Sequence, residues 1–127
     1  MSKYVLDASA ILALLNAEEG SQLVENFLPE SIISAINLAE VVTRLSVLRM
    51  PEGEIRTVLN LLGLEIIPFD EGQAFAAGLL SSYTRPFGLS LGDRACLALA
   101  RINQATAITA DRVWKNLELG IEITLIR

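Results

Sequence analysis

Four carboxylates stand where the surrounding sequence gives them little structural reason to be. Asp7 follows Tyr4-Val5-Leu6, Glu40 follows Asn37-Leu38-Ala39, Asp93 follows Ser90-Leu91-Gly92, and Asp111 follows Thr106-Ala107-Ile108-Thr109-Ala110. A carboxylate that leaves water without gaining a partner is costly, so several converging ones call for a cation. Mg²⁺ and Mn²⁺ take such oxygen ligands, and their commonest work is on phosphates. Ordinary roles compete for each residue taken singly. Asp7 and Asp111 fit helix N-caps. Asp93 lies three residues after Ser90, the spacing of a capping box to which Gly92 is incidental. Glu40 precedes Arg44 by four, the spacing of a helix-surface ion pair.

Composition removes most other chemistries. The 127 residues contain no histidine, which excludes Ser-His-Asp and Cys-His mechanisms and argues against structural zinc. The single cysteine, Cys96, allows no internal disulfide and reads as a small core residue among alanines. A formal charge of −5 argues against holding nucleic acid on a broad basic surface. It leaves room for an enzyme that meets phosphates through metal and a few arginines. Arg44, Arg94 and Arg112 each lie a helical turn or less from one of the four acids, where they either pair with acids or steer a phosphate backbone. No apolar run reaches membrane-spanning length and no signal peptide is evident, so the expectation is a soluble cytoplasmic chain.

These acids need elements to bring them together. Short β-branched and leucine-rich runs at Tyr4–Leu6, Ser31–Ser34, Leu64–Pro68, Thr106–Thr109 and Glu122–Ile126 read as strands covered on both faces. Amphipathic segments between them predict helices over Ser9–Asn16, Ser21–Leu28, Ile36–Leu48, Pro51–Leu62, Glu71–Tyr83 and Leu91–Ile102, with a short one near Val113–Leu117. Asp70-Glu71-Gly72-Gln73 reads as a capping box. Alternating strands and helices mean an α/β sandwich with a mainly parallel sheet over residues 1–127, as one domain. Asp7 and Asp111 then lie at carboxyl ends of strands, where open parallel sheets bind ligands. Asp93 reaches the same edge from the first turn of its helix. On a helical wheel Glu40 points away from Leu38, Val41, Val42 and Leu45, sharing its face with Ile36, Asn37, Thr43 and Val47. Four independent caps and pairs have no reason to gather at one end of one sheet, which weighs against the structural account.

The same residues carry a family resemblance. Val5-Leu6-Asp7-Ala8-Ser9-Ala10-Ile11-Leu12 resembles the opening of PIN-domain ribonucleases, in particular the VapC toxins of bacterial toxin–antitoxin pairs. Ser34-Ala35-Ile36-Asn37-Leu38-Ala39-Glu40-Val41 resembles their second motif. Leu89-Ser90-Leu91-Gly92-Asp93-Arg94-Ala95-Cys96 resembles the third, and Ile108-Thr109-Ala110-Asp111-Arg112-Val113-Trp114 the fourth. The four run in order along nearly the whole chain, with no departure at the acidic positions. The resemblance implies a PIN-like three-layer α/β/α sandwich whose five-stranded parallel sheet has the order 3-2-1-4-5. It also implies divalent metal, Mg²⁺ or Mn²⁺, RNA cleavage, a homodimer and a small cognate antitoxin.

On that resemblance Asp7 and Asp93 are the principal metal ligands, and Glu40 and Asp111 complete an acidic pocket. The Ser9 and Thr109 hydroxyls, two residues from Asp7 and Asp111, either orient those acids or serve only capping and strand packing, and Arg94 or Arg112 would steer the RNA backbone. With no histidine, serine triad or well-placed lysine, the expected nucleophile is water activated by metal. Two other classes compete. A catalytically silent binding module would keep the fold without the reaction. A receiver-type signalling domain would need an acidic pair after the first strand and a lysine after the fifth. Here Asp7 stands alone and the only lysines, Lys3 and Lys115, are misplaced.

Overall fold

A computed structural model describes residues 2–127. Five strands form one parallel sheet: β1 (Tyr4–Leu6), β2 (Ser31–Ser34), β3 (Glu65–Ile67), β4 (Thr106–Thr109) and β5 (Ile123–Leu125), in the order β3-β2-β1-β4-β5. The chain therefore leaves β1 in one direction to β2 and β3, then crosses to β4 and β5. Strand order reverses between β1 and β4, which pair with Leu6 opposite Ile108. Ligands of open parallel sheets bind at the carboxyl edge of such a reversal.

Adjacent residues on each central strand point to opposite faces, so one strand feeds two cores. Leu6, Ile33 and Ile108 enter the core under α1 (Ala8–Leu15), α2 (Ser21–Phe27), α3 (Ala35–Val47) and α4 (Glu52–Asn60). Val5, Ile32 and Ala107 enter the core under α5 (Glu71–Leu79) and α7 (Leu91–Asn103), which Trp114 closes. Between those two helices lies α6 (Ser81–Thr84). This is the three-layer α/β/α arrangement. Helix α7 is buried almost all round, from Ala95 to Ala100, because alanines let it sit close against β1, β2 and β4.

The structure corrects several expectations. Coverage on both faces holds for β1, β2 and β4, whereas the edge strands β3 and β5 are partly exposed. The helix expected over Glu71–Tyr83 breaks after Leu79 into α6 and a 3₁₀ turn at Arg85–Phe87. Ser81 and Ser82 are weak helix formers, Thr84 bonds back to the Leu80 carbonyl at 3.0 Å, and Pro86 cannot continue the α pattern. The short helix near Val113 is a 3₁₀ turn over Arg112–Asn116. The expected box at Asp70 is only half formed. Asp70 caps the Gln73 amide at 2.9 Å, but the Gln73 side chain donates to the Pro68 carbonyl instead of returning to Asp70.

Candidate active site

Asp7 is the residue immediately after β1, level with Thr109 at the end of β4, and caps α1. Its side chain is buried and held by three donors of the fold. Oδ1 accepts from the Ser9 hydroxyl at 2.7 Å and from the Ala10 amide at 2.9 Å; Oδ2 accepts from the Thr109 hydroxyl at 2.5 Å. The Ser9 hydroxyl in turn accepts from the Ala110 amide at 2.9 Å, and Thr109 accepts from the Asp111 amide at 3.0 Å. Ser9 and Thr109 thus tie the ends of β1 and β4 together around one carboxylate. An ionised carboxylate offers about four acceptor positions. Three are used, and one remains at Oδ2.

Asp93 occupies the third position of α7 and completes a reciprocal capping box: its Oδ2 accepts from the Ser90 amide at 2.9 Å, and its own amide donates to the Ser90 hydroxyl at 3.2 Å. One carboxylate oxygen does that work and Oδ1 has no protein donor among the described residues. Glu40 stands on α3 and forms no ion pair with Arg44, so the ordinary role competing for it is not taken up. Its Oε1 accepts from the Asn37 side-chain amide at 2.9 Å, and its Oε2 lies against Gly92. Asp111 caps the following 3₁₀ turn through the Val113 amide at 3.1 Å.

The charges show which acids share a neighbourhood. Burial pushes the Asp7 carboxyl up from 3.8 to about 6, and the charge of Asp93 adds to it against the lowering effect of the three hydrogen bonds. Glu40 is also raised, by partial burial first and again by Asp93, with the Asn37 bond opposing. The Cys96 thiol, buried behind them, is held neutral by burial and then by the charges of Asp7, Asp93 and Glu40. Asp7, Glu40 and Asp93 therefore converge. Asp111 stands at the same sheet edge, joined to Asp7 through Thr109. Among the described residues no three acidic, cysteine or histidine side chains close on one ion as direct ligands. Mg²⁺ does not require that, since it keeps several waters and binds through one or two carboxylates. The unspent acceptors of Asp7 and Asp93, with Glu40 adding charge, fit such an ion.

The two arginines expected to meet substrate are both held by main-chain oxygens. Arg94 donates to the Ala77 carbonyl at 3.0 Å and is half-buried against α5. Arg112, exposed beside Asp111, donates to the Arg127 carbonyl at 3.3 Å. The sequence also hid two residues. Asn37, placed by the wheel on Glu40's face, heads the buried row Asn37, Val41, Leu45, because its amide reaches α7. Gly92 is not incidental, since Glu40 fills the space its side chain would take. The i,i+3 spacing of Asn37 and Glu40 was the available signal for the first.

The PIN domain family model matches residues 4–119. The chain is a PIN-domain protein. No curated protein matches it in sequence. Its PIN fold is similar to that of DNA-bound VapBC from Salmonella typhimurium, with 22% identity, all of each chain covered and a TM-score of 0.79. A toxin–antitoxin complex from Klebsiella pneumoniae is similar at 22% identity, 98% of each chain and 0.74. FitAcB from Neisseria gonorrhoeae is similar at 24% identity, 97% of each chain and 0.67. At these identities the likeness is one of fold. It agrees with the sheet order. PIN domains are generally nucleases.

Proposed function

We propose that the chain is a single PIN domain over residues 1–127 acting as a metal-dependent endoribonuclease of the VapC toxin kind. The observation that carries this reading is the buried Asp7 carboxylate beside Asp93 and Glu40, each keeping acceptor capacity the fold does not use. A purely structural cap has no reason to be buried among like charges. Asp7 and Asp93 would hold Mg²⁺ or Mn²⁺, with Glu40 and Asp111 completing the acidic pocket. A bound divalent ion supplies positive charge to the phosphate and lowers the pKa of water.

The chain's own residues do the rest. Ser9 and Thr109 fix the rotamer of Asp7, and the capping box fixes Asp93 while leaving its Oδ1 available to hold an ion. Glu40 and Asp111 would orient the attacking water, and one of the two carboxylates would accept its proton. Of the two arginines, Arg112 is the better placed to meet the RNA backbone, being exposed next to Asp111, whereas Arg94 is turned toward α5. Hydrolysis would leave a 5′-phosphate and a 3′-hydroxyl.

The proposal includes a cytoplasmic homodimer and a protein antitoxin. The similar solved structures include VapBC and a toxin–antitoxin complex, which supports a partner of that kind. An arginine fork fits paired carboxylates, so the antitoxin's basic tail is placed among the four acids, where it would displace the ion. Its apolar segment would lie in the separate hollow between α3 and α4, lined by Leu38, Val42, Met50, Ile55 and Leu59. No helix among the described residues is long and apolar enough to cross a membrane.

Incubation with total RNA in Mg²⁺ or in EDTA, with 5′-end mapping, tests the reading. Cleavage should require the ion and fall by roughly a hundredfold or more in Asp7→Asn and Asp93→Asn, the loss of several kcal/mol at the transition state. Undiminished cleavage in excess EDTA, or full activity in Asp7→Asn, refutes it.

A further inference from the structure

Asn37 is 1% exposed, yet its side-chain amide is only half satisfied. Nδ2 donates to Glu40 Oε1 at 2.9 Å and to the Gly92 carbonyl at 3.0 Å, so both of its hydrogens are used. Oδ1 is buried and has no partner among the described residues. Both neighbours are acceptors, so exchanging nitrogen and oxygen would set oxygen against oxygen; the orientation follows from the network. An apolar side chain would fill the same interior without stranding an acceptor. What the amide adds is its hold on Glu40.

Gly92 serves the same carboxylate by what it lacks. It lies in the first turn of α7 with ordinary helical backbone, where alanine would favour the helix. A Cβ there would fall inside contact distance of both Glu40 carboxylate oxygens, and the contact is with the far end of a flexible side chain. The glycine therefore answers to the position of Glu40 rather than to backbone strain. Residue 92 is also the neighbour of Asp93, so one bridge sets α3 against the turn that carries the second acid.

We propose that Asn37 and Gly92 are positioning residues for Glu40: the amide ties its carboxylate to α7 and the missing side chain makes room for it, fixing it beside Asp93. This rests on the nuclease reading for its consequence. A carboxylate so held belongs to a preformed pocket, and residues that orient such groups typically alter metal affinity ten- to a hundredfold when replaced.

The test compares Asn37→Leu and Gly92→Ala, each alone and with Glu40→Gln, by Mn²⁺ calorimetry and by metal-free crystal structures. Thermal melts confirm folding, and Asn37→Ala replaces the leucine variant should that fail to fold. Each single variant should bind Mn²⁺ about tenfold more weakly. With Glu40→Gln already present, neither should cost more, because both act through one group. In the metal-free structures the Glu40 carboxylate should leave residue 92 in both variants. The proposal is overturned by wild-type Mn²⁺ affinity in both folded variants, or by the same loss persisting beside Glu40→Gln. If the unmodified chain binds no Mn²⁺, the nuclease reading fails, and the structures alone judge the cradle: a Glu40 unmoved in Asn37→Leu overturns it.

Discussion

Replacing Asp7 by Asn should stabilise the metal-free protein at neutral pH, although Asp7 is a helix cap with three hydrogen bonds. The carboxyl moves from its ordinary 3.8 to about 6 in the fold, mainly through burial. An acid whose value is raised by folding favours the folded state while protonated. Its contribution is complete below pH 3.8 and is lost as the pH climbs through about 6. The loss is worth about 3 kcal/mol, from the difference between the two values. Asparagine keeps the geometry. Its oxygen still accepts from Ser9 and the Ala10 amide, and its nitrogen donates to Thr109, whose hydroxyl turns to Ser9 at 3.3 Å. In EDTA at pH 7 the variant should therefore melt above wild type by up to about 10 °C, at the entropy usual for a domain of this size. Melts of both proteins from pH 4 to 7 should show the gap opening across that window and vanishing at its acid end. Mg²⁺ should then raise wild type and leave the variant unchanged, because only the intact site binds it. A variant that melts below wild type at pH 7, or a gap independent of pH, would show that Asp7 is a stabilising cap and not a strained ligand.

Ser90→Ala removes half of the box that orients Asp93 and should cost about 1 kcal/mol in urea melts; no change would mean the cap is idle. Trp114→Ala, at a fully buried side chain closing one core, should cost about 3–5 kcal/mol. Trp114→Phe should cost less, since it also deletes an indole nitrogen that has no partner. Gly20→Ala should cost about 2 kcal/mol or more, read as a lowered melting temperature. Gly20 has φ of 95°, and a side chain there would meet the Ile126 carbonyl at 2.6 Å.

Much of this protein was legible in order along the chain. Five apolar runs and the helices between them fixed the alternation, and alternation fixed a parallel sheet with acids at its carboxyl edge, because residues that end strands of a parallel sheet end at one side. Local chemistry was readable too: Ser90 and Asp93 stand three apart, and the box forms. Two misreadings arose locally, from nearby groups that compete with the expected pattern. Asp70-Glu71-Gly72-Gln73 has the same spacing, yet Gln73 finds the Pro68 carbonyl, and the helix over Glu71–Tyr83 breaks at its serines.

Tertiary structure alone decided how the acids relate. Wheel geometry put Asn37 on Glu40's face, away from the apolar stripe, but a carbonyl 55 residues away draws it into the interior. Gly92 carries no signature at all, since its meaning is a space occupied by a side chain of another helix. The ionisation of Asp7 likewise depends on Thr109 and Asp93, which reach it only when β1 pairs with β4 and α7 packs beneath them. Spacing along a chain encodes contacts within a turn or two; burial and charge depend on what the other layers bring.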